Sequence, residues 1–233
     1  MDRATRKQLK SDNFALEVQH GFEFVTGHRQ AMVRWAIVAA AVVVVAVAIF
    51  LYVQHQSGVR QEALQEAMRT ESASVGPPTN EYAAFFPTQA AKDKAAMKAW
   101  TELAAKYDGS EAGLIAQYYL AGHAADAGNA KEAEKRLTVV VDSGNANYAP
   151  MAKLSLAQLY ASEGNLSEAR KLLQSLIDHP TGLVSKEAAI IALAHVLAPS
   201  DPQAARKLLE PLRSSERSAV SRQALTALSE LSR

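Results

Sequence analysis

Residues 163–177 read EGNLSEARKLLQSLI, a Gly-Asn turn followed by a charged helix that carries leucines. The reading of the fold turns on whether this is a lone surface helix or one copy of a unit that recurs. Extended backward, it becomes LAQLYASEGNLSEARKLL (156–173). LAGHAADAGNAKEAEKRL (120–137) aligns with it at an offset of 36. LAHVLAPSDPQAARKLL (193–209) aligns at 37, falling to 36 after one deletion in the turn. Each copy opens with Leu-Ala, passes a polar turn, and continues with Ala followed four positions later by Leu: Ala133/Leu137, Ala169/Leu173 and Ala205/Leu209. A small residue lets two helices approach closely and a large one fills the gap beside it. Gly128 and Gly164 suit a left-handed helix end. One such pair cannot bury its apolar face alone, so the units are expected to stack.

The rest of the chain supports helix throughout. The 233 residues are rich in Ala and Leu, and aromatics make up only 6%, a composition that favours helix over strand. KAAMKAWTELAAKYDGS (94–110) reads as a lone second helix of an upstream unit. SAVSRQALTALSELSR (218–233) reads as a closing helix with Leu225, Leu228 and Leu231 inward. The expected class is therefore all-α, and a generic helical bundle remains the alternative to a repeat.

Ahead of this region lies WAIVAAAVVVVAVAIFLYV (35–53), with no formal charge between Arg34 and Arg60. Its nineteen residues would rise about 28 Å as a helix, the thickness of a bilayer's hydrocarbon core. In lipid a lone segment can satisfy its backbone only as a helix. Trp35 and Tyr52 mark the two ends, where amphipathic rings favour the interface, and Arg34 adds a flanking charge. A cleaved signal peptide would have a shorter leader and apolar run and a small-residue cleavage site, none of which is present. Lys and Arg concentrate before the span, at Arg3, Arg6, Lys7, Lys10, Arg29 and Arg34, against Arg60 and Arg69 in the stretch just after it. That asymmetry predicts residues 1–34 as a cytoplasmic tail, 35–56 as a single membrane span and the bulk of the chain outside the cytoplasm. Within the tail, Phe14, Val18, Phe22 and Val25 recur at helical spacing, while Gly21 and Gly27 oppose a stable helix. After the span, Ala63, Leu64, Ala67 and Met68 share one side of a polar stalk. Gly76, Pro77 and Pro78 then break it, so 57–80 reads as stalk and linker and 81–233 as the folded domain.

The repeated unit resembles the tetratricopeptide repeat, a helix-turn-helix of about 34 residues. In the central copy Leu156, Ala157 and Tyr160 match the first-helix signature, Ala169 and Leu173 the second, and Pro180 the terminal proline. Ala124 and Leu197 stand where Tyr is expected in the outer copies, and Pro199 lies in the third turn. Combined with a cytosolic tail, one span and a stalk, about three such repeats resemble the membrane-anchored ancillary subunit of the bacterial Sec translocon. That resemblance implies a scaffold on the outer side of a bacterial inner membrane, with Sec subunits, periplasmic chaperones or exported clients as protein partners. An adaptor in envelope or cell-division assembly is the alternative. The resemblance also implies a groove lined by set positions of each first helix: Ile115, Tyr118 and Gly122; Met151, Leu154 and Gln158; Ala188, Ile191 and His195. This mostly apolar set suits an extended hydrophobic segment or a partner helix. Internal packing against 94–107, or against a second protomer, is the competing role.

Motifs for other chemistry are missing. With no cysteine, disulfides, thiolate metal sites and Cys nucleophiles are excluded. There is no phosphate-binding glycine loop, H-E-x-x-H or G-x-S-x-G elbow, and no His pairs with another ligand at helical spacing. Asn165-Leu166-Ser167 matches a glycosylation sequon but reads as a turn. The net charge of +1 and the interleaving of basic with acidic residues argue against nucleic acid. No enzyme activity, cofactor, metal or small-molecule substrate is expected.

Overall fold

A computed structural model describes residues 29–76 and 84–231. The tail with Phe14, Val18, Phe22 and Val25 and the Pro77-Pro78 break lie outside the described residues. The chain divides between Val59 and Arg60 into two compact units. Helix α1, Arg29–Glu71, begins in the first and ends in the second. Between Val33 and Val53 its side chains are exposed, Trp35 and Tyr52 at 73% and 65%. By length and composition α1 can cross a membrane.

The second unit contains α2 (Gln89–Lys106), α3 (Glu111–Asp126), α4 (Ala130–Asp142), α5 (Tyr148–Ser162), α6 (Leu166–Asp178), α7 (Lys186–Leu197), α8 (Pro202–Leu209) and α9 (Ser218–Glu230). A short 3-10 turn, Glu210–Ser214, joins α8 to α9. Successive helices pack on one another, and α3/α4, α5/α6 and α7/α8 are the three pairs expected from the repeat. Among the described residues the one strand pairing is a two-residue parallel match of Ser74–Val75 (β1) with Phe85–Phe86 (β2), which the sequence reading did not anticipate. It closes the exit from α1 through Ser74 N to Ala84 O (3.1 Å) and Gly76 N to Phe86 O (2.9 Å).

The turns show why the unit repeats. At the end of α3, Gly128 (φ +75°) donates to Ala125 O at 2.9 Å and Asn129 to Ala124 O at 2.8 Å. The end of α5 repeats this with Gly164 (φ +80°) to Ala161 O at 3.1 Å and Asn165 to Tyr160 O at 2.8 Å. Both are Schellman closures, in which the left-handed residue turns its amide back onto the last free carbonyls. Asn129 and Asn165 then cap the next helix, accepting from Glu132 N (3.3 Å) and Glu168 N (3.5 Å). The third copy has no glycine there. Asp201 N bonds directly to Leu197 O at 2.7 Å, Asp201 caps through Ala204 N at 2.9 Å, and Pro202 occupies the first turn of α8, where its missing N–H costs nothing.

The alanines and leucines picked out by the alignment lie in the core. Ala121, Ala157 and Ala194 are at most 1% exposed, as are Ala133, Ala169 and Ala205. Their large partners Leu137, Leu173 and Leu209 are also buried. Each such leucine contributes about 1.5–3 kcal/mol by leaving water. Gly113 has a different task. A Cβ there would collide with the Tyr107 carbonyl, because the start of α3 lies directly on the end of α2.

Two sequence expectations shift. The segment read as a stalk puts Ala67 (1% exposed), with Ala63 and Leu64, against Trp100 and the α2/α3 core. The second compact unit therefore includes the residues from Arg60 onward, whereas Met68, assigned to the same side as Ala67, is 45% exposed. On α9 the inward stripe is Ala224, Ala227 and Leu228, with Leu231 partly buried. Leu225, expected inward, is 46% exposed, because it falls about 100° round the helix from Ala224.

Leu173→Ala is expected to destabilise the stack by about 2–5 kcal/mol, and Gly113→Ala by about 1–3 kcal/mol through overpacking. Thermal melts of the full chain in detergent, followed by circular dichroism, check both. An unchanged melting temperature for Gly113→Ala would remove the close approach of α2 and α3.

Candidate functional site

The first helices of the pairs, α3, α5 and α7, share one face of the stack, and two clefts open along it. The first, of about 490 Å³, lies between α3 and α5, and Glu71 at the end of α1 forms part of its wall. Tyr118, Tyr119, Gly122, His123 and Asp126 come from α3, and Ser155, Gln158, Leu159 and Ser162 from α5. The second, of about 480 Å³, runs from Leu154 and Gln158 across Ala188, Ile191, Ala192 and His195 of α7 to Arg222, Gln223, Thr226 and Glu230 of α9. Gln158 borders both clefts.

Seven of the nine groove positions carried over from the family therefore line a cleft: Tyr118, Gly122, Leu154, Gln158, Ala188, Ile191 and His195. Ile115 and Met151 line neither cleft. Ile115 is 6% exposed in the cluster around Trp100, and Met151 packs on the α6/α7 core. The reason is position along the axis: in α3 and α5 these residues lie one turn nearer the N-terminus than Tyr118 and Leu154, where neighbouring helices pack on them. Arg34, Trp35 and Tyr52 belong to the first unit and are exposed along α1.

The first cleft is stiffened by contacts between residues far apart in sequence. Glu71 Oε2 accepts from Trp100 Nε1 at 2.8 Å and pairs with His123 Nε2 at 2.9 Å. Trp100 is fully buried and stacks on Tyr119, with ring centroids 4.3 Å apart and planes at 6°. Tyr118 meets Tyr119 edge to face at 6.2 Å and shares a 3.1 Å hydrogen bond with Ser155 Oγ, joining α3 to α5. Burial first, and then the nearby Glu71 carboxylate, raise the Tyr119 hydroxyl's pKa above its ordinary value. Beside the cleft, Tyr160 donates to Glu134 Oε1 at 2.7 Å, linking α5 to α4. That hydrogen bond, more than burial, pushes the Tyr160 pKa up to about 12.

Sequence reasoning missed Glu71, Tyr119, His123 and the contribution of α9. His123 and Glu71 are 52 residues apart, so no local spacing could pair them. The α9 residues did leave a trace: Arg222, Thr226 and Glu230 fall at intervals of four on one helix face.

Glu71→Ala leaves the Trp100 indole and His123 without their acceptor. It is expected to cost about 1–3 kcal/mol and to shift Trp100 emission, read in a Trp35→Phe background. Glu71→Gln keeps an acceptor and should fall between wild type and Glu71→Ala. Tyr160 supplies a pH test. Its folded pKa of about 12 exceeds the ordinary 10.0, so its bond to Glu134 stabilises the fold fully below pH 10 and loses that contribution between pH 10 and about 12. Tyr160→Phe should flatten that alkaline loss in chemical denaturation. Parallel curves for the two proteins across this window would refute it.

A family model for the "tetratricopeptide repeat-like domain" matches residues 28–179, which includes α1 and the first two helix pairs. No curated protein matches significantly. Among solved structures, the kinesin light chain nearly identical TPR-like repeats of Podosopora anserina superpose with a TM-score of 0.53 at 18% identity, over 73% of this chain and 84% of that one. A single-substitution variant of the same repeats superposes equally well, with the same score, identity and coverage. At that identity the likeness speaks for the fold alone, and it agrees with the stacked pairs described above. The family match spans more than half of the chain, which therefore belongs to the tetratricopeptide repeat-like domain family.

Proposed function

We propose that this protein is a membrane-anchored scaffold whose cleft-bearing face binds other proteins. In this reading residues 35–56 cross a bacterial inner membrane, with Arg34, Trp35 and Tyr52 at the two interfaces and residues 1–34 in the cytoplasm. Residues 57–80 connect the span to the repeats, and the face formed by α3, α5 and α7 stands on the outer side. There it assists the Sec translocon or the periplasmic chaperoning of exported proteins.

One observation carries the proposal: in the first unit every residue from Val33 to Val53 is exposed, although the stretch is almost wholly apolar. An exposed run of that size in water would be a strong aggregation liability, and lipid removes the conflict. That the family match starts at residue 28 and covers the apolar helix supports treating anchor and repeats as one design. The role in protein binding is supported by the two clefts, whose aliphatic and aromatic walls and polar rims suit extended segments or helices.

Two measurements test the reading. A C-terminal alkaline phosphatase fusion is expected to be active and a C-terminal green fluorescent protein fusion dark; the opposite pattern reverses the topology. Photocrosslinkers at Tyr118, Gln158 and His195 are expected to capture translocon subunits, periplasmic chaperones or exported chains. Capture of envelope or division proteins, with enrichment at midcell, would favour the structural adaptor instead.

A further inference from the structure

The first cleft differs from the second in charge. Glu71 is the last residue of α1 and Asp126 the last of α3, so both carboxylates lie at helix C-termini. The helix dipole is negative there, and an acidic side chain at that end opposes folding rather than helping it. Glu71 is held by Trp100 and His123 through Oε2, while its Oε1 accepts no hydrogen bond among the described residues. Asp126 is exposed and forms neither an ion pair nor a side-chain hydrogen bond among the described residues. No Lys or Arg lines this cleft, whereas the second contains Arg222 together with Glu230. Two helix ends and two carboxylates thus converge on a space walled by Tyr118 and Tyr119. Beside it, the Gln158 amide has no partner among the described residues and borders both clefts.

We infer that the first cleft receives a Lys or Arg side chain from an extended polypeptide segment, which continues past Gln158 into the second cleft. The inference deepens the scaffold reading and rests on it. The cation meets Asp126 and the open oxygen of Glu71 in a field that the two helix ends make more negative. The aromatic walls offer favourable contact for the aliphatic stem and the charged head. Gln158 can give and accept one hydrogen bond each with the segment's backbone, which demands no particular neighbouring side chain. The partner class is therefore an unfolded or extended chain selected by a basic residue.

The test uses the full chain in detergent micelles and fluorescence anisotropy. The probes are three labelled peptides, alike except for a central Arg, Gln or Glu between small and aliphatic residues. The Arg peptide is expected to bind about tenfold tighter than the Glu peptide at low ionic strength, with the gap narrowing as salt is added. Asp126→Lys is expected to reverse the order. That substitution places a cation at a helix C-terminus, so a purely structural role for Asp126 predicts higher thermal stability with the peptide order unchanged. Equal affinity for all three peptides, or an order unaltered in Asp126→Lys, overturns the inference while leaving the scaffold reading in place. Binding of none of them also overturns it, and the scaffold reading then falls only if crosslinkers at His195, in the second cleft, also capture nothing.

Discussion

Close approach of helices at fully buried alanines is the constraint on which the stack depends. Ala121, Ala157 and Ala194 in the first helices, and Ala133, Ala169 and Ala205 in the second, expose essentially no surface. A larger side chain at any of them would push two helices apart and move every unit beyond. The leucines four residues on fill the wedge-shaped gaps such close pairs leave, and neighbouring pairs complete the burial. Caps and turns serve the same end, since Asn129 and Asn165 each finish one helix and start the next, so little chain is left to vary the angle within a pair.

This constraint is why so much of the architecture was legible. Alanines and leucines at fixed spacing are a pattern of size, and size is written directly in residue identity. The three pairs and the turns at Gly128 and Gly164 follow from it. The third turn was harder, because its closure by Asp201 and Pro202 uses a different set of residues for the same geometry. The closing helix was read through its leucines, yet Ala224 and Ala227 set its inward face and leave Leu225 outside.

The candidate site was legible only in part, for a physical reason. Groove positions such as Leu154, Gln158 and His195 follow from helical phase once the repeat is recognised. The Glu71 contacts with Trp100 and His123 depend on how α1 is seated against α2 and α3, and that seating comes from long-range packing with no local period. The same contacts explain why the second unit begins before the linker. The last turns of α1 contribute apolar surface through Ala67 and a polar tie through Glu71, so the polar segment after the apolar stretch is part of the fold and not only a spacer.

The alanine seams also bear on the entropy of folding. An alanine has no side-chain rotamers to lose, so the closest contacts in the stack form without the penalty that a buried methionine or glutamine would carry. The flexible side chains that the clefts retain, Gln158, Gln223 and Arg222 among them, lie on the open face, where their remaining freedom is available for adjustment to a bound chain. Ordering is concentrated where the units meet, and adaptability where a partner would lie.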